Sequence, residues 1–423
     1  MNPIKYDVVV LGGGASGMMA AVFAARSGAK VVLIEKNSRL GAKVRISGGG
    51  RCNILNAEFD SRVLLANYGK SAKFLHSAFA QFGAQDSVDF FTNLGLPIKV
   101  EARNRAFPVS DDANDVVRVL EGEMVKFGVE IVRSARIKSI NKVGDKIESI
   151  VCTTGEYMGD SYVLATGGMS RPETGSTGDG FDWLADLGHK VNESNPSITP
   201  LALKNIWLKK VAGVVAKSAR ITFYADGKKA FRLDGDILFT HFGISGPLVL
   251  NNAYRVAELL AYSTVTASID TLPDTDEKVL DTMIVDVLTE NGTKQLKNVI
   301  NFFCPLGVGP VVKELIGPMI DLERKCAEVG RSDRKVIVET LKGIAVEVER
   351  LMGMDRAVVA DGGIDLSEID TRTFRSKKIA NLYVTGDLLD INRPSGGFSL
   401  QLCWTTGAIA GQNAVISRPL RGR

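Results

Sequence analysis

The sequence predicts an α/β chain. A discontinuous Rossmann-like dinucleotide-binding domain is interrupted by an inserted domain of antiparallel strands plus a helical part. Three observations predict it. Asp7–Glu35 reads as strand, glycine-rich turn, small-residue helix and second strand. The pattern changes after Asn195-Pro196 and returns to α/β from Arg356. The 423 residues exceed what one core ordinarily serves. The expected divisions are 1–194 and 356–423 for the two parts of the dinucleotide-binding domain. The insert takes 195–355, β-rich over about 195–272 and helical over about 273–355.

The first strand is Val8–Leu11, a β-branched run of the kind buried in parallel sheets. Gly12, Gly14 and Gly17 form G-x-G-x-x-G, Met18–Ser27 is helical with Gly28 at its end, and Val31–Ile34 is a second strand closed by Glu35. Each part has a physical role. Gly12 permits the tight turn, Gly14 lets a pyrophosphate approach the backbone, and Gly17 lets the helix lie close to the strand. The helix N-terminus offers unpaired N–H groups and partial positive charge to phosphates. Glu35 can accept from a ribose diol and disfavours a 2′-phosphate. Val8–Ala25 carries no charge, but its four glycines and the strand that follows argue against a signal peptide.

Further along, Gly128–Ile140 reads as paired strands, followed by strands at Lys146–Cys152 and Asp160–Ala165, the last ending in Thr166-Gly167-Gly168. Leu201–Leu203, Ala219–Tyr224 and Thr264–Asp270 read as antiparallel strands, Asp274–Leu351 as largely helical, Asn381–Thr385 as a strand, and Trp404–Ile416 as a helix.

Composition excludes several classes. The chain is 45% hydrophobic and 24% charged, which is globular, and the 43 glycines suggest close backbone approach to a ligand. The net charge of +4 suits an anionic cofactor or substrate without calling for nucleic acid. Cys52, Cys152, Cys304, Cys326 and Cys403 are scattered, which points to a reduced, cytoplasmic protein. His76, His189 and His241 are too dispersed for a histidine metal site, so no metal is expected. No apolar run is long enough to span a bilayer, so no membrane association is expected. The oligomeric state is left open.

Other stretches carry possible chemistry. Ser47-Gly48-Gly49-Gly50-Arg51-Cys52-Asn53 follows the fingerprint, and its glycines could let the main chain run along a flat ring system. Arg51 could meet a phosphate or carbonyl, and Asn53 a ring edge. Cys52 has no partner cysteine nearby and reads as a small packed residue rather than a redox thiol. Asp387, at the end of Leu382–Gly386, can accept from a polyol hydroxyl. Pro394–Gln401 precedes the last helix, whose N-terminus would face whatever lies ahead of it. His241 is the candidate acid/base, with a structural histidine as the competing reading. Arg103 and Arg105 either hold a substrate carboxylate or sit in a solvated loop.

Together these motifs resemble the two-dinucleotide-binding-domain flavoproteins. More closely, the chain resembles a bacterial FAD-dependent oxidoreductase family that includes aminoacetone oxidase and a bile-acid dehydro-reductase. The resemblance is carried by Gly12–Gly17, Glu35-Lys36, Leu40-Gly41, Ser47–Asn53, Ala165–Gly168, Gly175–Gly180, Phe239–Pro247, Gly386-Asp387 and Pro394–Gln401. It implies non-covalent FAD, with the flavin between the two domains. Gly12, Gly14, Ser16 and Gly17 would face the pyrophosphate, Glu35 the adenosine ribose, the backbone near Arg136 and Ile137 the adenine, and Asp387 the ribityl chain. Gly397 and Phe398 would approach the pyrimidine end. Lys36, Lys43, Gly48, Gly49, Arg51, Cys52, Asn53, Thr166, Gly167 and Ser399 complete the expected FAD contacts. Members tend to have Thr-Gly-Gly-Tyr-Asn where this chain has Ser395–Ser399, and often Glu where it has Asp387. The changed loop bears on the substrate pocket rather than on FAD binding.

The implied reaction is hydride transfer between flavin N5 and a small or mid-sized organic substrate, of the ene/keto reductase or amine oxidase type. No second G-x-G-x-x-G lies between a strand and a helix, so a dedicated NAD(P)H domain is not expected. Electrons would come from a substrate, with oxygen as acceptor, or from NAD(P)H as a transient donor. The rival readings are a tRNA- or nucleic-acid-handling flavoprotein and a non-catalytic flavin-binding protein. The pI near 8.6 and Arg418, Arg421 and Arg423 allow the first, but the chain lacks a long basic stripe.

Overall fold

A computed structural model describes residues 4–194 and 196–416; Arg418, Arg421 and Arg423 lie outside them. The chain divides into two compact units, one formed by the residues up to Pro196 and from Val358 on, the other by Ser197–Ala357.

The first unit is built on a seven-stranded sheet. The strand Ile4–Leu11 pairs in parallel with Val31–Ile34 on one side and Gly155–Leu164 on the other, in the registers Leu11↔Ile34 and Leu11↔Leu164. Val8, Val9, Val10 and Leu11 are fully buried, which is why this strand reads as a continuous apolar run rather than an alternating one. Beside Ile4–Leu11, Gly155–Leu164 is long enough to serve two more neighbours. Its start pairs antiparallel with Lys146–Cys152, and its end pairs in parallel with Leu382–Val384. Residues 128–140 are not paired with each other. Glu130–Val132 lies parallel beside Val31–Ile34, whereas Ile137–Val143 pairs antiparallel with Lys146–Cys152. Ser134, at φ 55°, turns the chain between the two.

The helix Ala15–Arg26 packs against the last helix, Phe398–Ile416, which begins six residues earlier than the sequence reading placed it. Trp404 is fully buried there, and its indole N–H donates to the Ile54 carbonyl at 2.9 Å. A small sheet of Leu55–Asn56, Arg105–Pro108 and Ile98–Glu101 lies in the same unit.

The same unit also holds a buried histidine. His189 Nδ1 lies 2.8 Å from Glu368 Oε2, and its Nε2 lies 3.0 Å from Ser376 Oγ. Ser376 Oγ in turn accepts from the Lys378 and Ile379 N–H groups, so the imidazole ties segment 366–379 to the turn after Leu187. Burial lowers the His189 pKa below its ordinary 6.5, although Glu368 opposes that shift. The folded protein therefore holds the neutral ring, and acid protonates the unfolded chain first. Stability should fall as pH drops below 6.5 toward the lower folded value. His189→Asn should flatten that part of a melting-temperature profile.

The second unit contains a closed antiparallel barrel. In barrel order its strands are Leu201–Leu203, Gly243–Ser245, Lys228–Thr240, Val215–Ala225, Val265–Asp270 and Ile344–Leu351. Closure comes from Leu201↔Leu351. The helices Glu277–Glu290, Gly309–Ile316 and Arg331–Lys342 belong to this unit, which has its own apolar core. The helical stretch expected to reach Leu351 stops at Lys342, and Ile344–Leu351 is a strand.

Candidate functional site

The site lies in the first unit, in a cavity of about 460 Å³ at the carboxyl ends of the central parallel strands. The fingerprint forms one wall. The Gly12 N–H donates to the Ile34 carbonyl at 2.8 Å, and Gly12 has φ +105°, a conformation that favours glycine. A Cβ on Gly12 would stand 2.6 Å from the Ala165 carbonyl oxygen, and one on Gly17 only 1.9 Å from the Gly12 oxygen. Gly17 thus serves helix packing and does not line the cavity. Gly14 is the opposite case. It lines the cavity, and a Cβ there would meet nothing within 4 Å. The helix opening at Ala15 has no side-chain cap and no acidic residue in its first turn, so its leading N–H groups and positive end suit an anionic group.

Glu35 ends the second strand, is 8% exposed and lines the cavity. Its Oε2 accepts from the Gly13 N–H at 2.6 Å and its Oε1 from the Asn37 N–H at 2.7 Å. The carboxylate therefore braces the fingerprint loop, and each oxygen keeps capacity to accept from a diol. Lys36 Nζ donates to Thr177 Oγ1 at 2.5 Å and to Asp179 at 2.8 Å. Burial works against the Asp179 carboxylate, but the bonds from Lys36 and Thr177 hold its pKa below the ordinary value. Ala135 and Ile137 line this part of the wall, whereas Arg136 is exposed and does not. Thr166 and Gly167 also line the cavity, with Thr166 Oγ1 buried and without a hydrogen-bond partner among the described residues.

Elsewhere on the wall, Lys43 Nζ donates to Ser170 Oγ at 3.0 Å and lies 3.5 Å from Asp387 Oδ2. Asp387 also pairs with Arg393, whose side chain is 1% exposed. Burial raises the Asp387 pKa, but Arg393 and Lys43 outweigh it and keep the carboxyl ionised well below the usual range. Ser16 lines the cavity at the fingerprint, and Ser399, Leu400 and Cys403 contribute the first turns of the last helix. Burial pushes the Cys403 thiol up to about 12, so it stays neutral.

The Ser47–Asn53 run divides. Gly48 and Gly49 line the cavity, and Gly48, Gly49 and Gly50 have φ of 57°, 70° and 89°. These left-handed residues turn the chain so sharply that the next side chains leave the wall. Arg51 stacks over Phe107 at 4.1 Å and pairs with Glu101 and Asp111, so it meets no cavity group. Cys52 is fully buried, and desolvation pushes its thiol up to about 12, which removes it as both redox group and wall residue. The Asn53 amide donates to the Leu55 and Ala106 carbonyls at 3.1 and 3.2 Å and accepts from the Gly397 N–H at 3.1 Å. It fastens the last loop from behind. Gly397 and Phe398 are not wall residues either. A Cβ on Gly397 would stand 2.2 Å from the Leu55 carbonyl carbon, and the Phe398 carbonyl accepts from Tyr68 Oη at 2.9 Å.

The candidate substrate and acid/base residues also fall elsewhere. Arg105 Nε donates to the Ala102 carbonyl at 3.2 Å, Arg103 sits at φ 63° between two strands of the small sheet, and neither lines the cavity. His241 belongs to the second unit. It is exposed at a hairpin turn, its ring edge-on to Phe242 at 4.9 Å, with no carboxylate orienting it among the described residues. Arg393 and Ser170 went unread in the sequence. No spacing rule marks Arg393, because its partner Asp387 is reached through a loop.

The profile described as the HI0933-like protein Rossmann domain matches residues 6–413. The chain belongs to this family. Among relatives of the chain, the 3-dehydro-bile acid delta(4,6)-reductase of Clostridium scindens is 30% identical, covering 97% of this chain and 99% of its own. The ribosomal RNA dihydrouridine synthase of Escherichia coli is 27% identical, covering 98% and 99%. In fold, the chain is similar to the open conformation of a flavocytochrome c3 fumarate reductase. That match has a TM-score of 0.56 at 16% identity and covers 98% of this chain and 79% of the other. This HI0933-like chain is an FAD-dependent flavoprotein oxidoreductase. The cavity residues fit the cofactor, with open space over Gly14, an uncapped helix N-terminus and a carboxylate at the end of the second strand.

Proposed function

We propose that this flavoprotein hydrogenates an activated carbon–carbon double bond in a small or mid-sized organic substrate, with NAD(P)H as transient electron donor. The observation that carries the reading is full-length similarity to two relatives whose names both denote adding hydrogen to a double bond. When bound, FAD supplies hydride from N5. The chain's own residues bind and orient. Gly14 and the helix that follows receive the diphosphate, Glu35 accepts from the adenosine ribose, and Asp387, held ionised, accepts from the polyol chain without donating a proton. Lys43 holds a positive charge at the same wall. No histidine of the first unit is available there as an acid, since His189 is locked between Glu368 and Ser376 and His76 is exposed on the helix Ala72–Gln81, away from the cavity wall.

The test is anaerobic. The holoenzyme is mixed with NADH or NADPH, then offered a conjugated ketone of steroid size. Flavin bleaching by one nucleotide, then reoxidation with the ketone gaining two hydrogens, is the expected result. Bleaching by an amine, with reoxidation by oxygen alone, would replace this reading with an amine oxidase. The second reading, reduction of a uridine base in RNA, is favoured by the dihydrouridine synthase relatives. It predicts reoxidation by a ribosomal RNA transcript and none by the ketone.

A further inference from the structure

We propose that Arg393 is a positioning residue which, with Lys43, gives the cavity wall around Asp387 one positive charge in excess, and that this excess raises the reduction potential of the bound FAD. The inference rests on FAD occupying this cavity and is independent of which substrate is reduced.

The geometry is that of a closed cluster. The Arg393 guanidinium is almost wholly buried and has three fixed partners. They are Asp387 Oδ1, the Ile391 carbonyl at 2.7 Å and Ser399 Oγ at 3.1 Å. Its hydrogen bonds are spent inside the protein, so it reaches the cavity through Asp387 and Ser399, both of which line it. Asp387 is 18% exposed, and its second oxygen faces Lys43, which is 29% exposed and also on the wall. Two cations therefore share one carboxylate. Cys403 and Tyr68, the other titratable groups beside them, are held neutral by burial and add no charge. Of the other charged wall residues, Lys36 pairs with Asp179 and Arg171 with Glu173, while the Glu35 carboxylate accepts from backbone N–H groups at the fingerprint, so the excess is local to Asp387. A buried guanidinium and carboxylate are costly to desolvate and survive only as partners, so removing Arg393 frees Asp387 as well as deleting a charge.

The electrostatic consequence has a sign that does not depend on the pose of the cofactor. Two-electron reduction with uptake of one proton adds one negative charge to the flavin. A nearby positive charge stabilises the reduced form, and only the size of the effect falls with distance. At an effective dielectric of ~20 and a separation of ~12 Å, one charge is worth about tenfold in the oxidised-to-reduced equilibrium. The chain's own substitutions then form a series of opposite signs. Arg393→Gln and Lys43→Gln each remove a positive charge and should lower the midpoint. Asp387→Asn removes a negative charge and should raise it. Arg393→Lys keeps the charge and should stay near the parent. Loss of packing alone gives no such pattern.

The measurement is the midpoint potential of the FAD-loaded protein, by anaerobic reduction against a reference dye, without substrate. The expected result is a fall for Arg393→Gln and Lys43→Gln, a rise for Asp387→Asn and near-parental behaviour for Arg393→Lys. Midpoints that stay put, or all move one way, would overturn the inference. So would weaker FAD retention at an unchanged midpoint, because the charge would then serve the diphosphate. Should the buried variants fail to fold, Lys43→Gln decides alone, since its side chain is partly exposed. A parent protein that takes up no FAD is a failure of the cofactor reading, visible before any midpoint is compared.

Discussion

Gly14→Val should fold as the parent does and fail to retain FAD. Gly14 has φ −80° and ψ −171°, an extended conformation open to any residue, so valine adds no backbone strain. A Cβ there meets no atom beyond its chain neighbours within 4 Å, so the added side chain starts in open space. Yet the residue lines the cavity, and the branched side chain would stand where an anion must approach the first N–H groups of the helix. Losing two hydrogen bonds to a charged group, at about 1.5–3 kcal/mol each, weakens binding by about a hundredfold or more. The check pairs the yellow absorbance of the purified variant with its melting curve in the absence of FAD. The melting temperature should match that of the parent apoprotein.

Gly411→Leu should do the reverse and destabilise the fold itself. Gly407 and Gly411 lie one turn apart on the last helix, facing Ala15–Arg26. A Cβ at Gly407 would stand 2.4 Å from the Ser16 carbonyl oxygen, and one at Gly411 2.3 Å from that of Ala20. These atoms are backbone and cannot swing aside, so the two helices would have to separate. Overpacking of a yielding core costs about 1–3 kcal/mol. An unyielding backbone contact puts Gly411→Leu at or beyond about 3 kcal/mol. Urea unfolding with FAD absent checks it, and an unchanged midpoint would refute the helix contact. The same residue type thus has opposite roles at Gly14 and Gly411, one leaving room for a ligand and one for a helix.

What was legible in the sequence was what local chemistry decides. The strand–turn–helix–strand of Asp7–Glu35 is specified by neighbours along the chain. The same is true of the small residues that end Gly155–Leu164 and Leu382–Val384. Long-range pairing was not legible. Ile344–Leu351 alternates as a strand, but it begins just after the helix Arg331–Lys342, and its partners are Leu201–Leu203 and Val265–Asp270. No pattern within the segment names them. Within the site, Glu35, Lys36, Lys43, Gly48, Gly49, Thr166, Gly167, Asp387 and Ser399 meet at one cavity. Arg51, Cys52 and Asn53 left it because three consecutive left-handed glycines reverse the chain ahead of them. Arg393 was missed for a related reason, since a buried ion pair across a loop leaves no periodic trace.

The most direct measurement is titration of the FAD-stripped protein with FAD, followed by flavin absorbance, with Gly14→Val run alongside. The account predicts uptake of one FAD per chain by the parent and little or none by the equally folded variant. Parent protein that stays colourless in excess FAD, or a variant that binds FAD as tightly as the parent, would contradict it.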